Sequence, residues 1–224
     1  ERFPMTGDGS AATARLWMRV RVADRAFDMV MPSAGALWMH DTRPHAITVV
    51  EGATARARSL VETAPTATLF AFLGRRDFVS AAHAFDALVA TPAFEAAIAP
   101  SADPIVAVGL AVAAIATERA PAQLDDDWYA GFVTRHPTLP DAAICAARRM
   151  WRLGRLDQRH AEIRDLLDRA YAGGVPVHGL ALDWLAEGLD LLDQPDTDAR
   201  AAEVRRLARR ASRTSLFTSL KSRE

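Results

Sequence analysis

One cysteine in 224 residues rules out an internal disulfide, so non-covalent interactions must hold this chain together. That scarcity fits a reducing compartment, and the chain is expected to be cytoplasmic. An excess of either charge is also missing. Lys and Arg number 27 against 28 Asp and Glu, for a formal net charge of −1. Neither nucleic acid nor an anionic membrane is implied by that balance. Long apolar runs are absent. The longest, PIVAVGLAVAAIA, lies between Asp103 and the Glu118–Arg119 pair. It is well short of the roughly twenty residues that a membrane helix needs, and is expected as a buried helix. The opening ERFPMTGDGS lacks an initiator methionine and a charged-then-apolar signal pattern, as expected of a trimmed chain or of the product of a cut. TGDGS is too short for a phosphate-cradling loop and precedes a strand pattern rather than a helix. No Gly-x-Ser-x-Gly elbow occurs. No histidine or cysteine pair stands at metal-ligand spacing, so neither a cofactor nor a metal is expected.

What the chain does have is apolar material in quantity. Half of its residues are hydrophobic and a quarter are charged, enough for a real core. Up to residue 51 the hydrophobic period is two. Leu16, Met18, Val20 and Val22 alternate with Trp17, Arg19 and Arg21, and Phe27, Met29 and Met31 alternate with Asp28 and Val30. ALWMH and AITVV read as two further short strands. These segments predict a small antiparallel β unit over residues 1–51, too small to be stable by itself. From Ala53 the period becomes helical. Segments of ten to twenty residues alternate with breaks rich in Pro, Gly and Asp, and residues 52–224 are expected as one α-helical domain. Asp103 before Pro104 and Asp141 after Pro140 can cap helices, and Gly173–Gly174 can stop one. Short breaks between medium helices favour antiparallel hairpins.

An internal echo supports a repeated unit. Leu73-Gly-Arg and Leu153-Gly-Arg are each followed by an aspartate, Asp77 or Asp157, and then by an amphipathic helix. The eighty-residue offset is no whole multiple of the roughly 34-residue tetratricopeptide period, which makes the repeat irregular. Trp151-Arg-Leu-Gly-Arg-Leu-Asp157 with the Ala- and Leu-rich helix after it resembles the helix–turn–helix junction of tetratricopeptide repeats. DPIVAVGLAVAAI, RHPTLPDAAICAARRMWRLGR, GGVPVHGLALDWLAEGLDLL and SRTSLFTSL resemble a helical region of bacterial multidomain proteins that commonly follows a caspase-like or other effector protease domain. The fold that this resemblance implies is mainly α, an irregular tetratricopeptide-like stack of antiparallel helical hairpins after the β unit. The function it implies is a non-catalytic interaction or regulatory region, with another protein or an attached effector domain as partner.

Five places carry candidate chemistry or binding. Arg148, Arg149 and Arg152 share a predicted helix with Cys145, and such a neighbourhood can activate a thiol. The flank AAICAAR matches no cysteine-protease signature, however, and free cysteine behaves as a small hydrophobe, so Cys145 is expected in the core. His40, Asp41 and His45 in HDTRPH form the most polar cluster of the strand region. They are the candidates for an acid–base or metal site if the chain is an enzyme, which the sequence leaves open and does not favour. In LDDDWYAGF the three aspartates suit the first turn of a helix. Binding is expected through Trp128, Tyr129, Trp151 and Trp184, although helix aromatics commonly end in the core. Residues 200–224 hold eight basic and two acidic residues. Arg205, Arg206, Arg209 and Arg210 surround a stripe of Val204, Leu207, Ala208 and Ala211. That pattern predicts a closing helix with solvated arginines, or else a surface for nucleic acid, a membrane or an acidic partner. Leu216, Phe217 and Leu220 are expected to dock back onto an earlier helix.

Overall fold

A computed structural model describes residues 17–22, 25–30, 45–50, 56–61, 66–192 and 194–221, with backbone alone for the four segments before residue 62. Four strands come first: β1 (Trp17–Val22), β2 (Arg25–Val30), β3 (His45–Val50) and β4 (Arg56–Val61). β1 and β2 form an antiparallel pair with Trp17 opposite Val30, and β3 and β4 form another with His45 opposite Val61. The ALWMH segment read as a strand lies outside the described residues. The four strands do not make one four-stranded sheet. β2 is completed on its other side by β5 (Ser219–Lys221), with Asp28 opposite Leu220. A hairpin leaves one row of backbone donors and acceptors unpaired, and here the far end of the chain supplies a third strand. The helical region begins at Ala67 rather than at Ala53, because Arg56–Val61 pairs with β3 as a strand.

Beyond these strands the described chain is mainly helical: α1 (Ala67–Gly74), α2 (Phe78–Val89), α3 (Pro92–Ile98), α4 (Pro104–Ala116), α5 (Asp126–Arg135), α6 (Pro140–Arg152), α7 (His160–Ala172), α8 (Gly179–Leu191) and α9 (Pro195–Arg210). Local chemistry sets most of the starts. The carboxylates of Asp77, Asp103 and Asp125 accept from the backbone N–H of Ser80, Ile105 and Trp128. Proline occupies the first turn of α3, α4, α6 and α9, where its missing N–H costs nothing. Gly174 ends the turn after α7 at φ 89°, a value that glycine adopts without strain.

α4 is apolar on every side and every residue from Pro104 to Ile115 is buried, so it runs through the core. α1, α2, α3 and α6 pack on it, while α6 is also touched by α5, α7 and α8. One continuous hydrophobic core joins α1 to the C-terminal segment. Among the described residues, no helix is long and apolar enough to cross a membrane.

Candidate functional site

Where α6 begins, a proline in its first turn is followed by Asp141, which is fully buried. Its place after Pro140 suggests a cap for its own helix. The N-cap position belongs instead to Leu139, which makes no side-chain cap bond. The carboxylate turns away to the segment before α8. There Val177 N donates to Oδ2 at 2.8 Å, and His178 N donates to Oδ1 at 2.8 Å. The imidazole Nδ1–H of His178 also donates to Oδ1, at 2.9 Å. Three N–H donors aimed at one carboxylate supply much of what water would have given it, which makes its burial tolerable. His178 is 1 % exposed. Its ring lies 5.3 Å from that of Phe217, between centroids, and Nε2 sits close under Gly109 of α4.

Nε2 of His178 is buried without a hydrogen-bond partner, and so is the hydroxyl of Ser215. Since neither atom has a partner, the two do not bond each other, and among the described residues no serine completes a relay with this couple. The couple instead fixes the chain leading into α8. Sequence spacing could not reveal it, because Asp141 and His178 are 37 residues apart. The available signals were a lone aspartate after Pro140 and a lone histidine after Gly-Gly-Val-Pro-Val.

Cys145 stands one turn further along α6 and is 1 % exposed. Burial pushes its thiol well above the ordinary value, and the Asp141 carboxylate pushes the same way. A nucleophile needs the opposite shift. The arginines of this helix and of the turn after it serve other partners. Arg149 and Arg155 both bind Asp126 on α5, whose carboxyl the Arg155 and Arg149 hydrogen bonds hold below its usual value. Arg152 reaches Glu118 and the carbonyl of Ile115. Arg148 lies 4.8 Å from the Trp151 ring and 5.5 Å from the Trp184 ring, and pairs with Glu187.

The expected binding aromatics spread over several environments. Tyr129 and Trp184 are buried, at 3 % and 7 % exposure, and Tyr129 lies beneath Arg149. Burial, chiefly, raises the Tyr129 phenol well above its ordinary range. Trp128 is half-buried, stacks on Phe132 and donates its indole N–H to the carbonyl of Ile98. Trp151, also half-buried, lies against Gly188. On α9, Arg205, Arg206 and Arg209 are exposed and Arg210 is partly so; Arg205 pairs with Asp190. Val204 is fully buried and Leu207 partly. Leu216, Phe217 and Leu220 are all buried, and Phe217 docks against His178 at the start of α8. His40 and Asp41 lie outside the described residues, and His45 is the first residue of β3, described by its backbone. Among the described residues, no three His, Cys, Asp or Glu side chains gather as a metal cluster would require.

A family model described as the Y4kD C-terminal domain matches residues 68–224, a span that starts inside α1 and runs through every later helix. No curated protein and no solved structure gave a match.

Proposed function

The chain belongs to the family of the Y4kD C-terminal domain, and from that premise we propose that it is a non-catalytic interaction or regulatory module serving a bacterial effector protein. One observation carries the reading. Asp141, His178 and Cys145, the described side chains with the most chemistry to offer, are each at most 1 % exposed and are used in holding helices together. The family's description as a C-terminal domain suits a part appended to another functional unit. Packing of α2 on α4, α4 on α6 and α6 on α8 supports a tetratricopeptide-like stack, in which alternate helices line one layer. The half-buried Trp151, flanked by Arg148 and the exposed Glu187, combines an aromatic anchor with charge of both signs, as binding surfaces do.

Calorimetric titration of this chain against the effector portion of its own full-length protein, produced separately, is the test. Saturable binding that weakens at least tenfold in Trp151→Ala, with folding intact, is the expected result. Absence of binding, together with a catalytic activity abolished by a single substitution in a folded variant, overturns the proposal.

The exposed arginines of α9 favour a second reading, a nucleic-acid surface. Counterion release would then make binding to duplex DNA or RNA fall steeply with salt. Titrations at two salt concentrations, with and without the Arg205, Arg206, Arg209 and Arg210 side chains, discriminate this from a protein partner.

A further inference from the structure

The C-terminal segment is held differently from the helices. After α9 the chain turns at residues 213 and 214 and runs on through residues 215–221, ending in β5. Gly179 N donates to the Leu216 carbonyl at 2.9 Å, and Thr218 N donates to the Val177 carbonyl at 2.7 Å. The Thr218 hydroxyl donates to the Pro176 carbonyl at 2.8 Å. Phe217 is the fully buried plug between these bonds. The seat that receives this segment is shaped from its opposite side by Asp141, which holds Val177 and His178 by their backbone N–H groups. The contact with α1 is backbone on backbone, since a Cβ on Gly74 would lie 3.0 Å from Leu216 N. Parting from α1 at Gly74 breaks only backbone contact, whereas at α8 the buried Phe217 ring has to leave its seat for the segment to open.

Closure of the segment also carries a cost. Among the described residues, Nε2 of His178, beside the segment, and Oγ of Ser215, its first residue, are both buried and without a hydrogen-bond partner. Opening would let water satisfy both, which lowers the free energy of the open form relative to the closed one. No helix depends on the segment for its internal hydrogen bonds.

We propose that residues 215–221 form a strap that opens and closes over the Asp141–His178 couple while α1 to α9 stay folded. Opening exposes the His178 imidazole to solvent and breaks the pairing of β5 with β2, so that one local event uncouples the β1–β2 hairpin from the helices.

Native-state hydrogen exchange of the full chain tests this without any substitution. The amides of Gly179 and Thr218 are expected to exchange about a hundredfold faster than those of Ala146 and Ala147 inside α6, at denaturant concentrations too low for global unfolding. Diethyl pyrocarbonate, read by mass spectrometry, is the second probe. It should modify the exposed His83 at once and His178 slowly in the native protein, and Phe217→Ala should raise the His178 rate about tenfold with α-helical content unchanged. Exchange of Gly179 and Thr218 at the rate of the α6 amides would overturn the proposal, as would His178 modification that starts only at global unfolding. If Phe217→Ala does not fold, the wild-type exchange decides alone.

Discussion

Asp141 shows how much can rest on one buried carboxylate. Replacing it by alanine would leave Val177 N, His178 N and the imidazole Nδ1–H without their acceptor. Buried unpaired donors are expensive, so Asp141→Ala should cost about 3 kcal/mol, measured by urea unfolding. Cys145→Ser should cost only about 1 kcal/mol, because a hydroxyl replaces a thiol of nearly the same size in an apolar site. With its thiol raised by burial, native Cys145 should react with a thiol reagent at pH 8 no faster than the protein unfolds. Rapid labelling of folded protein would contradict that placement. Gly188 makes a third test. A Cβ there would stand 2.8 Å from Cζ3 and 2.9 Å from Cη2 of Trp151. Gly188→Ala should therefore destabilise by about 2 kcal/mol through overpacking, and Trp151→Leu in the same chain should recover part of the loss.

Among the elements, the two Leu-Gly-Arg turns look alike in sequence and work differently. After α6 the left-handed residue is Gly154, at φ 71°, with open space where a Cβ would be. After α1 the left-handed residue is Arg76, at φ 58°, while Gly74 still belongs to the helix and is bare for the strap to approach. Asp77 caps α2 as its sequence position suggests, whereas Asp157 does not cap α7, whose N-cap position is held by Arg159 without a side-chain cap bond. For α9, burial separates the apolar stripe from the arginines. Val204→Asp should cost about 4 kcal/mol, since a charge would enter a closed apolar contact. Replacing Arg205, Arg206, Arg209 and Arg210 together by Gln should move stability by less than about 1 kcal/mol, because exposed ion pairs contribute little. Paired urea melts of the two variants check both numbers. A large loss in the arginine variant would mean that α9 is held by its charges rather than by its stripe.

At the scale of the whole molecule, the pH profile of stability should fall in two stages on the acid side. His136 lies tilted against the Phe132 ring, and burial, helped by the Arg135 charge, lowers its pKa. The unfolded chain then takes up the proton first. The His136 contribution is present above about pH 6.5 and is lost as pH falls through that value toward the lower folded pKa. Asp126, held down by Arg155 and Arg149, contributes above the unfolded carboxylate value of about 3.9 and loses that contribution as pH falls further. Its side chain is 43 % exposed, so screening keeps this second stage small. Urea midpoints between pH 8 and pH 3 should show the upper stage flattened in His136→Gln and the lower one in Asp126→Asn. An unchanged profile in His136→Gln would remove the assignment.

Much of this architecture was legible in the sequence because it follows from near neighbours along the chain. Asp103 with Pro104 starts α4, Asp125 starts α5, Gly173–Gly174 closes α7, and the uniform apolarity of Pro104–Ala116 dictates burial on every side. The packing role of Cys145 was readable from its apolar flanks alone. Tertiary structure decided what depends on residues far apart in sequence. It turned Asp141 from a helix cap into the partner of His178 and left Gly109 and Gly188 bare for the rings of Phe70 and Trp151. It also placed Arg56–Val61 in a strand beside β3 and brought β5 across to β2. Caps and periodicity are set by forces acting within a turn or two of helix. A buried couple or a completed sheet edge exists only when two distant segments desolvate each other, and no local pattern records which two will meet.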